Sequence, residues 1–185
     1  NSIPQLQFWI DELGVFIKLN KPRKTKLGDF KIHKRQLVIS INNNLNPYSF
    51  LITLTHELAH AFVYVKYKKE VLPHGNQWQD TFRYMMLNFL NPAILPDDVL
   101  KVLSAHLKQP KASTCTDMNL AAILKKYDHK KVLTISDIKD GSIFSTSNGK
   151  IFKKGKQLRK RYKCVECDSN KAYLFHPLAE VILMQ

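Results

Sequence analysis

From Tyr48 to about Lys68 the chain contains neither glycine nor proline. An uninterrupted run of that length is best satisfied by one long helix. Asn46 is suited to cap it and Pro47 to its first position. Leu51, Leu54, Leu58, Phe62 and Val65 form an apolar stripe, and apolar residues spread onto more than one face. The segment is therefore expected to be a central, buried helix. In its middle stands His56-Glu57-Leu58-Ala59-His60, an HExxH pattern. Two histidines four residues apart project from one helix face, one turn apart. That spacing lets both imidazoles reach one Zn2+ at about 2.0–2.1 Å. Glu57 lies near the same point without aiming at it. It can take a proton from a water there and deliver it to a leaving amine.

A catalytic zinc needs a third protein ligand and an open position. Downstream, Glu70, His74, Asp80, His106, Cys115, His129 and His176 can be considered. The metzincin extension is excluded, because Val63 occupies its glycine position and Lys66 its third-histidine position. His74 is the best placed. It sits in Pro73-His74-Gly75-Asn76-Gln77-Trp78 at the entry to a second helix, and the adjacent Gly75 lets the backbone fold back over the first. His33, His106 and His129 have no partner pattern and read as exposed or structural.

Around this centre the periodicities predict an α+β body. A helix over 4–13 is followed by strands over 15–19, 28–32 and 36–41. After the long helix come helices over 77–90, with Asn76 as cap, over 97–108, with Asp97 and Asp98 in the first turn, and over 117–127. From 132 onward the pattern turns β, with strands expected over 132–138, 142–146, 151–154, 158–164 and 172–175. The expected organisation is a body over 1–110, a linker with a short helix over 111–130, and a small basic β module over 131–185.

Charge follows this division. Of 29 Lys and Arg against 15 Asp and Glu, residues 1–100 hold 12 and 8, and residues 101–185 hold 17 and 7. The densest run, from Lys150 to Lys163, has eight cations and no carboxylate. Cations this close call for a polyanion or for solvent. Lys153, Lys154, Lys156, Arg159, Lys160 and Arg161 are the candidate nucleic-acid contacts. Phe152 and Tyr162 between them are either stacking platforms or inward-facing strand residues.

The motif residues carry a resemblance. His56-Glu57-Leu58-Ala59-His60-Ala61, then His74-Gly75 and the aromatic Trp78, resemble the SprT-like metallopeptidases, whose eukaryotic relatives include Spartan. Leu37 to Ile41, with Leu45 and Pro47, fits the family's hydrophobic strand before its metal helix. The resemblance covers about residues 1–108. It implies a zincin-like metallopeptidase body, zinc on His56, His60 and His74, and Glu57 as general base. It also implies action on proteins bound or crosslinked to DNA. The family often adds a C-terminal zinc ribbon with two cysteine pairs, but here there is one pair, Cys164 and Cys167. Cys115 or His176 would have to complete a second metal site. The preferred expectation is a ribbon-like β fold without metal, held by Tyr162, Tyr173, Phe175, Leu178 and Val181.

Three cysteines are too few for a disulfide scaffold, which favours a reducing, cytoplasmic setting. No apolar stretch is long enough to span a membrane, and no secretory leader is visible in the first residues. The main reading is a zinc endopeptidase acting on a protein or peptide substrate, with DNA as a partner through the module. A non-enzymatic nucleic-acid-binding protein with a structural or vestigial zinc is the alternative. The glutamate favours the first, because a structural site does not need it. A third reading, a peptidase indifferent to nucleic acid, leaves the basic run to solubility.

Overall fold

The structure, a computed structural model, describes residues 2–23, 25–68, 70–112 and 117–184. The chain divides into two units, 1–129 and 130–185.

The first unit opens with α1 (Ile3–Leu13), which Gly14 ends in the left-handed conformation at φ 59°. β1 (Phe16–Asn20), β2 (Gly28–His33) and β3 (Gln36–Asn42) form a sheet of order β1-β3-β2. β1 runs parallel and β2 antiparallel to β3. β3 is the central strand, and Ile39 and Ile41 on it are fully buried. β2 is an outer strand.

α2 (Pro47–Tyr67) is the long helix expected from the sequence. Asn46 Oδ1 accepts the Tyr48 and Ser49 backbone N–H groups at 3.1 and 2.9 Å. Caps of this kind are worth about 1 kcal/mol. Ile52, Leu58, Ala59 and Ala61 have no exposed surface. Burial on several faces follows from the composition of α2 and places its polar triplet inside the body. α3 (Asn76–Leu87), α4 (Asp97–Lys108) and α5 (Met118–Lys125) complete the unit. Gly75, not Asn76, is the N-cap of α3, and no side chain caps it. The helix also stops at Leu87, short of residue 90.

The stretch read as a linker holds α5, and α5 belongs to the core. Leu120 and Leu124 are buried in the main cluster. Asn46 Nδ2 donates to Leu124 O at 2.9 Å and to Asp128 Oδ1 at 2.7 Å. One side chain therefore caps α2 and ties down the end of α5. Pairing over 78 positions is invisible to local sequence patterns.

In the second unit β4 (Ile143–Ser145), β5 (Ile151–Leu158), β6 (Arg161–Glu166), β7 (Ala172–Phe175) and β8 (Ile182–Leu183) form an antiparallel sheet of order β7-β6-β5-β4-β8. The strand expected over 132–138 is instead one bridge at Thr134 and a 3-10 turn over Ile135–Asp137. The Asp137 carboxylate accepts from Thr134 N at 2.8 Å and Thr134 Oγ1 at 2.6 Å, closing a local turn that competes with a ladder. Ile135, Ile138, Phe144, Phe152, Cys164 and Val181 form the core, with Tyr162 and Phe175 packed on it. Of the expected core residues, Tyr173 is 38% exposed with its ring edge-on to Phe152, and Leu178 is half-buried. No helix among the described residues is long and apolar enough to cross a membrane.

Candidate metal centre and its cleft

α2 directs His56 and His60 to one side, and the loop into α3 brings His74 to meet them. Their Nε2 atoms lie 3.3 Å (56–60), 2.9 Å (60–74) and 3.3 Å (56–74) apart. A tetrahedral ion about 2.0–2.1 Å from each would set its nitrogens about 3.3–3.4 Å apart, so the triangle is close to that of a bound metal. Three imidazoles aiming the same nitrogen at one point cannot satisfy one another by hydrogen bonds, since neutral imidazole has a single N–H. A cation resolves the convergence. These histidines form the one group of three or more His, Cys, Asp or Glu among the described residues that could hold a metal ion.

The Trp78 ring packs against all three, stacked on His60, tilted to His56 and edge-on to His74. Its centroid is 4.6 Å from His56, 5.2 Å from His60 and 4.6 Å from His74, and it stacks on Phe82 at 5.1 Å. Trp78 is fully buried, and its Nε1 reaches His56 O at 3.4 Å. His74 has φ 60°, a left-handed conformation that non-glycine residues seldom adopt. The tight residue of this loop is thus the candidate ligand itself, while Gly75 is extended at φ −68°. Strain of this kind at a functional position needs a rigid surround, which Trp78 and the Gln79 Nε2 to His74 O bond at 3.1 Å help to provide.

Burial keeps the imidazoles uncharged. It pushes His56 down to about 2, with its histidine neighbours adding to the effect, and His60 down to about 4. His74 is lowered by the same cause. Neutral imidazole is the ligating form, so the lone pairs are ready at neutral pH.

Glu57 is 7% exposed and has its own setting. Burial, reinforced by the nearby Asp29, raises its carboxyl to about 7, while the Phe30 backbone N–H, Lys26 and Arg23 act the other way. β2 passes so close that a Cβ at Gly28 would stand 2.7 Å from Glu57 Oε1 and 2.7 Å from Thr53 Cγ2. Only glycine fits there. Gly28, Asp29 and Phe30 form one wall of a cleft of about 520 Å3 whose other lining includes the three histidines, Glu57 and the loop at Leu72. The sequence gives no sign of Gly28 or Phe30 as site residues, because which strand lies along α2 is settled only by tertiary packing.

Lys153, Lys156, Arg159, Lys160 and Arg161 are exposed on and around the β5–β6 hairpin. Lys154 is 5% exposed: its Nζ donates to Ile138 O at 2.6 Å, lies 3.5 Å from Asp140 Oδ1 and sits 4.2 Å from the Tyr162 ring centroid. It is spent inside the module and leaves the candidate face. Phe152 is buried and Tyr162 packs on the core, so neither offers an open ring. Cys164 is buried, with its thiol raised by that burial, and Cys167 is exposed. Adjacent strand and turn positions thus send the two sulfurs into different environments. Cys115 lies outside the described residues. His106 is buried and bonds Asp117 Oδ2 at 2.9 Å, whereas His33, His129 and His176 are exposed. Asp80 pairs with Arg83, and Glu70 is exposed.

Three converging imidazoles on and beside the long buried helix of an α+β body could hold a metal ion. Residues 5–94 match the SprT-like family, and all three histidines, Glu57 and Trp78 fall inside the match. Comparison with curated proteins found no match, and comparison with solved structures found none.

Proposed function

We propose that the chain is a zinc-dependent metallopeptidase that hydrolyses peptide bonds of DNA-associated proteins. The observation that carries the reading is the convergence of three neutral imidazoles with a buried carboxylate beside them at the rim of an open cleft. His56, His60 and His74 would hold the ion. Three nitrogen ligands with an open side is the arrangement of a catalytic rather than a structural zinc. When bound, zinc supplies Lewis acidity toward a carbonyl and makes a nearby water more acidic.

The chain's own groups account for the rest. Glu57 is held by the Phe30 N–H against Gly28, where its carboxylate faces the cleft. As a base with its acidity near neutral, it takes the proton of the attacking water. It then returns that proton to the amine nitrogen as the C–N bond breaks. The outer edge of β2 borders the cleft, so an extended polypeptide can lie along it with backbone pairing. Trp78 excludes water from beneath the imidazoles.

The DNA part of the proposal rests on the exposed Lys153, Lys156, Arg159, Lys160 and Arg161. A cleavage assay tests it, using a basic DNA-bound protein and, in parallel, an unfolded protein that binds no DNA. DNA should stimulate cleavage of the first substrate by wild type, and far less by a variant with those five residues changed to Gln. Cleavage of the second should be equal in both. Equal DNA response would remove the module from the reading. No cleavage of either substrate by zinc-loaded protein would return the chain to the non-enzymatic, nucleic-acid-binding alternative.

A further inference from the structure

The two-residue loop between β2 and β3 is Lys34-Arg35, flanked by the paired His33 and Gln36. Both loop residues have positive φ, 48° and 68°. A hairpin turn of this kind is normally built from Asn-Gly, because side chains at both positions are strained. Two long cations stand where small residues would make the hairpin more stable. They border a surface groove of about 740 Å3, whose lining includes Lys68, Gln36, Tyr64 and Val65 and contains no carboxylate. Lys68, at the end of α2, also has a positive φ of 56°, and its Nζ lies 5.5 Å from the Tyr64 ring centroid. Lys34, Arg35 and Lys68 are exposed. Tyr64 and Lys68 line the cleft beside Glu57 as well, so groove and cleft are neighbours.

The negative end of the α2 dipole accounts for one cation there. It does not account for two more on a strained turn. Nor is the charge confined to the C-terminal module. Residues 1–129 carry 17 basic and 10 acidic side chains and residues 130–185 carry 12 and 5, a net +7 in each. A field of that breadth suits a partner charged at every repeat.

We propose that this groove is a phosphate-backbone site for single-stranded nucleic acid on the catalytic unit itself, separate from the basic module. Lys34, Arg35 and Lys68 contact successive phosphates, and the half-buried Tyr64, which lines the groove between them, borders the path of the strand. The consequence, a strand held beside the cleft, rests on the peptidase reading; the binding does not, and it is measured without catalysis.

The test is binding of fluorescent oligo(dT) to the full chain across a salt series. Changing Lys34, Arg35 and Lys68 together to Gln should lower the slope of log affinity against log salt by about 2, at about 0.7 per phosphate contact on a single strand. A second variant, K34N/R35G, guards against misfolding. It installs the favoured turn, so its melting temperature should rise while the slope falls by about 1.4. Unchanged slopes in both variants would overturn the proposal. It would equally be overturned if the variants kept oligo(dT) affinity but lost binding to polyglutamate, which would make the groove an acidic-peptide site.

Discussion

Glu57→Gln should retain its metal and lose cleavage of a protein substrate by about 10²–10⁴-fold, the usual contribution of a positioned general base. Gln has the same shape and can still accept the Phe30 N–H, so loss of activity would reflect loss of the base and not of the fold. The same change should stabilise the metal-free protein at alkaline pH. The Glu57 carboxyl is raised from 4.5 to about 7 in the folded chain, chiefly by burial. The folded state then binds more protons than the unfolded state between those values. Its full stability is present below pH 4.5 and is lost as pH rises through 7. Gln does not titrate and escapes that loss, which amounts to about 3 kcal/mol. Denaturant melts of chelator-treated protein should therefore coincide near pH 4 and separate by pH 8, the variant being more stable. A wild type more stable than the variant at pH 8 would contradict the buried, high-pKa setting of Glu57. A gain in stability with a loss of function is the signature of an active-site group.

The second large effect is at His74. Asn is the informative replacement, because it tolerates the left-handed backbone at φ 60° but offers no imidazole. His74→Asn should fold, and its metal affinity should fall by more than about 100-fold, beyond what loss of an outer partner of a ligand costs. Cleavage should fall with it. The metal-dependent rise in melting temperature should shrink in step, since a ligand stabilises only the state that binds it. Full metal retention in this variant would remove His74 from the ligand set and reopen the choice of a third ligand.

Much of this centre is legible in the sequence because its determinants are local. The absence of Gly and Pro, the Asn46-Pro47 start and the four-residue spacing of His56 and His60 all act within α2. His74 could be chosen from its neighbours, yet its left-handed backbone could not, since Gly75 beside it is the residue that sequence rules favour for that role. Gly28 and the Phe30 N–H are not legible at all. They reach Glu57 only because β2, nearly 30 positions earlier, lies along α2 in the folded body. The same limit explains α5, whose partner for the Leu124 carbonyl is Asn46. In the module, the charge run from Lys150 to Lys163 is uniform in sequence. β5 nevertheless turns Phe152 and Lys154 inward together, before the register shift between Lys154 and Gln157. Gly155 permits that irregular stretch, because a Cβ there would meet Lys163 O at 2.5 Å. Which lysine goes inside is decided by strand register, and Ile138 O and Asp140 then satisfy it.

On the proposed function, His56, His60 and His74 hold a metal on which peptide hydrolysis depends. Titrating chelator-treated protein with zinc, while following cleavage of an unfolded protein substrate, tests it directly. Activity should rise from baseline and saturate at about one equivalent per chain, the capacity of a single three-histidine site with its fourth position open. Cleavage that persists in the chelator-treated protein, or that never appears at one equivalent, would contradict it.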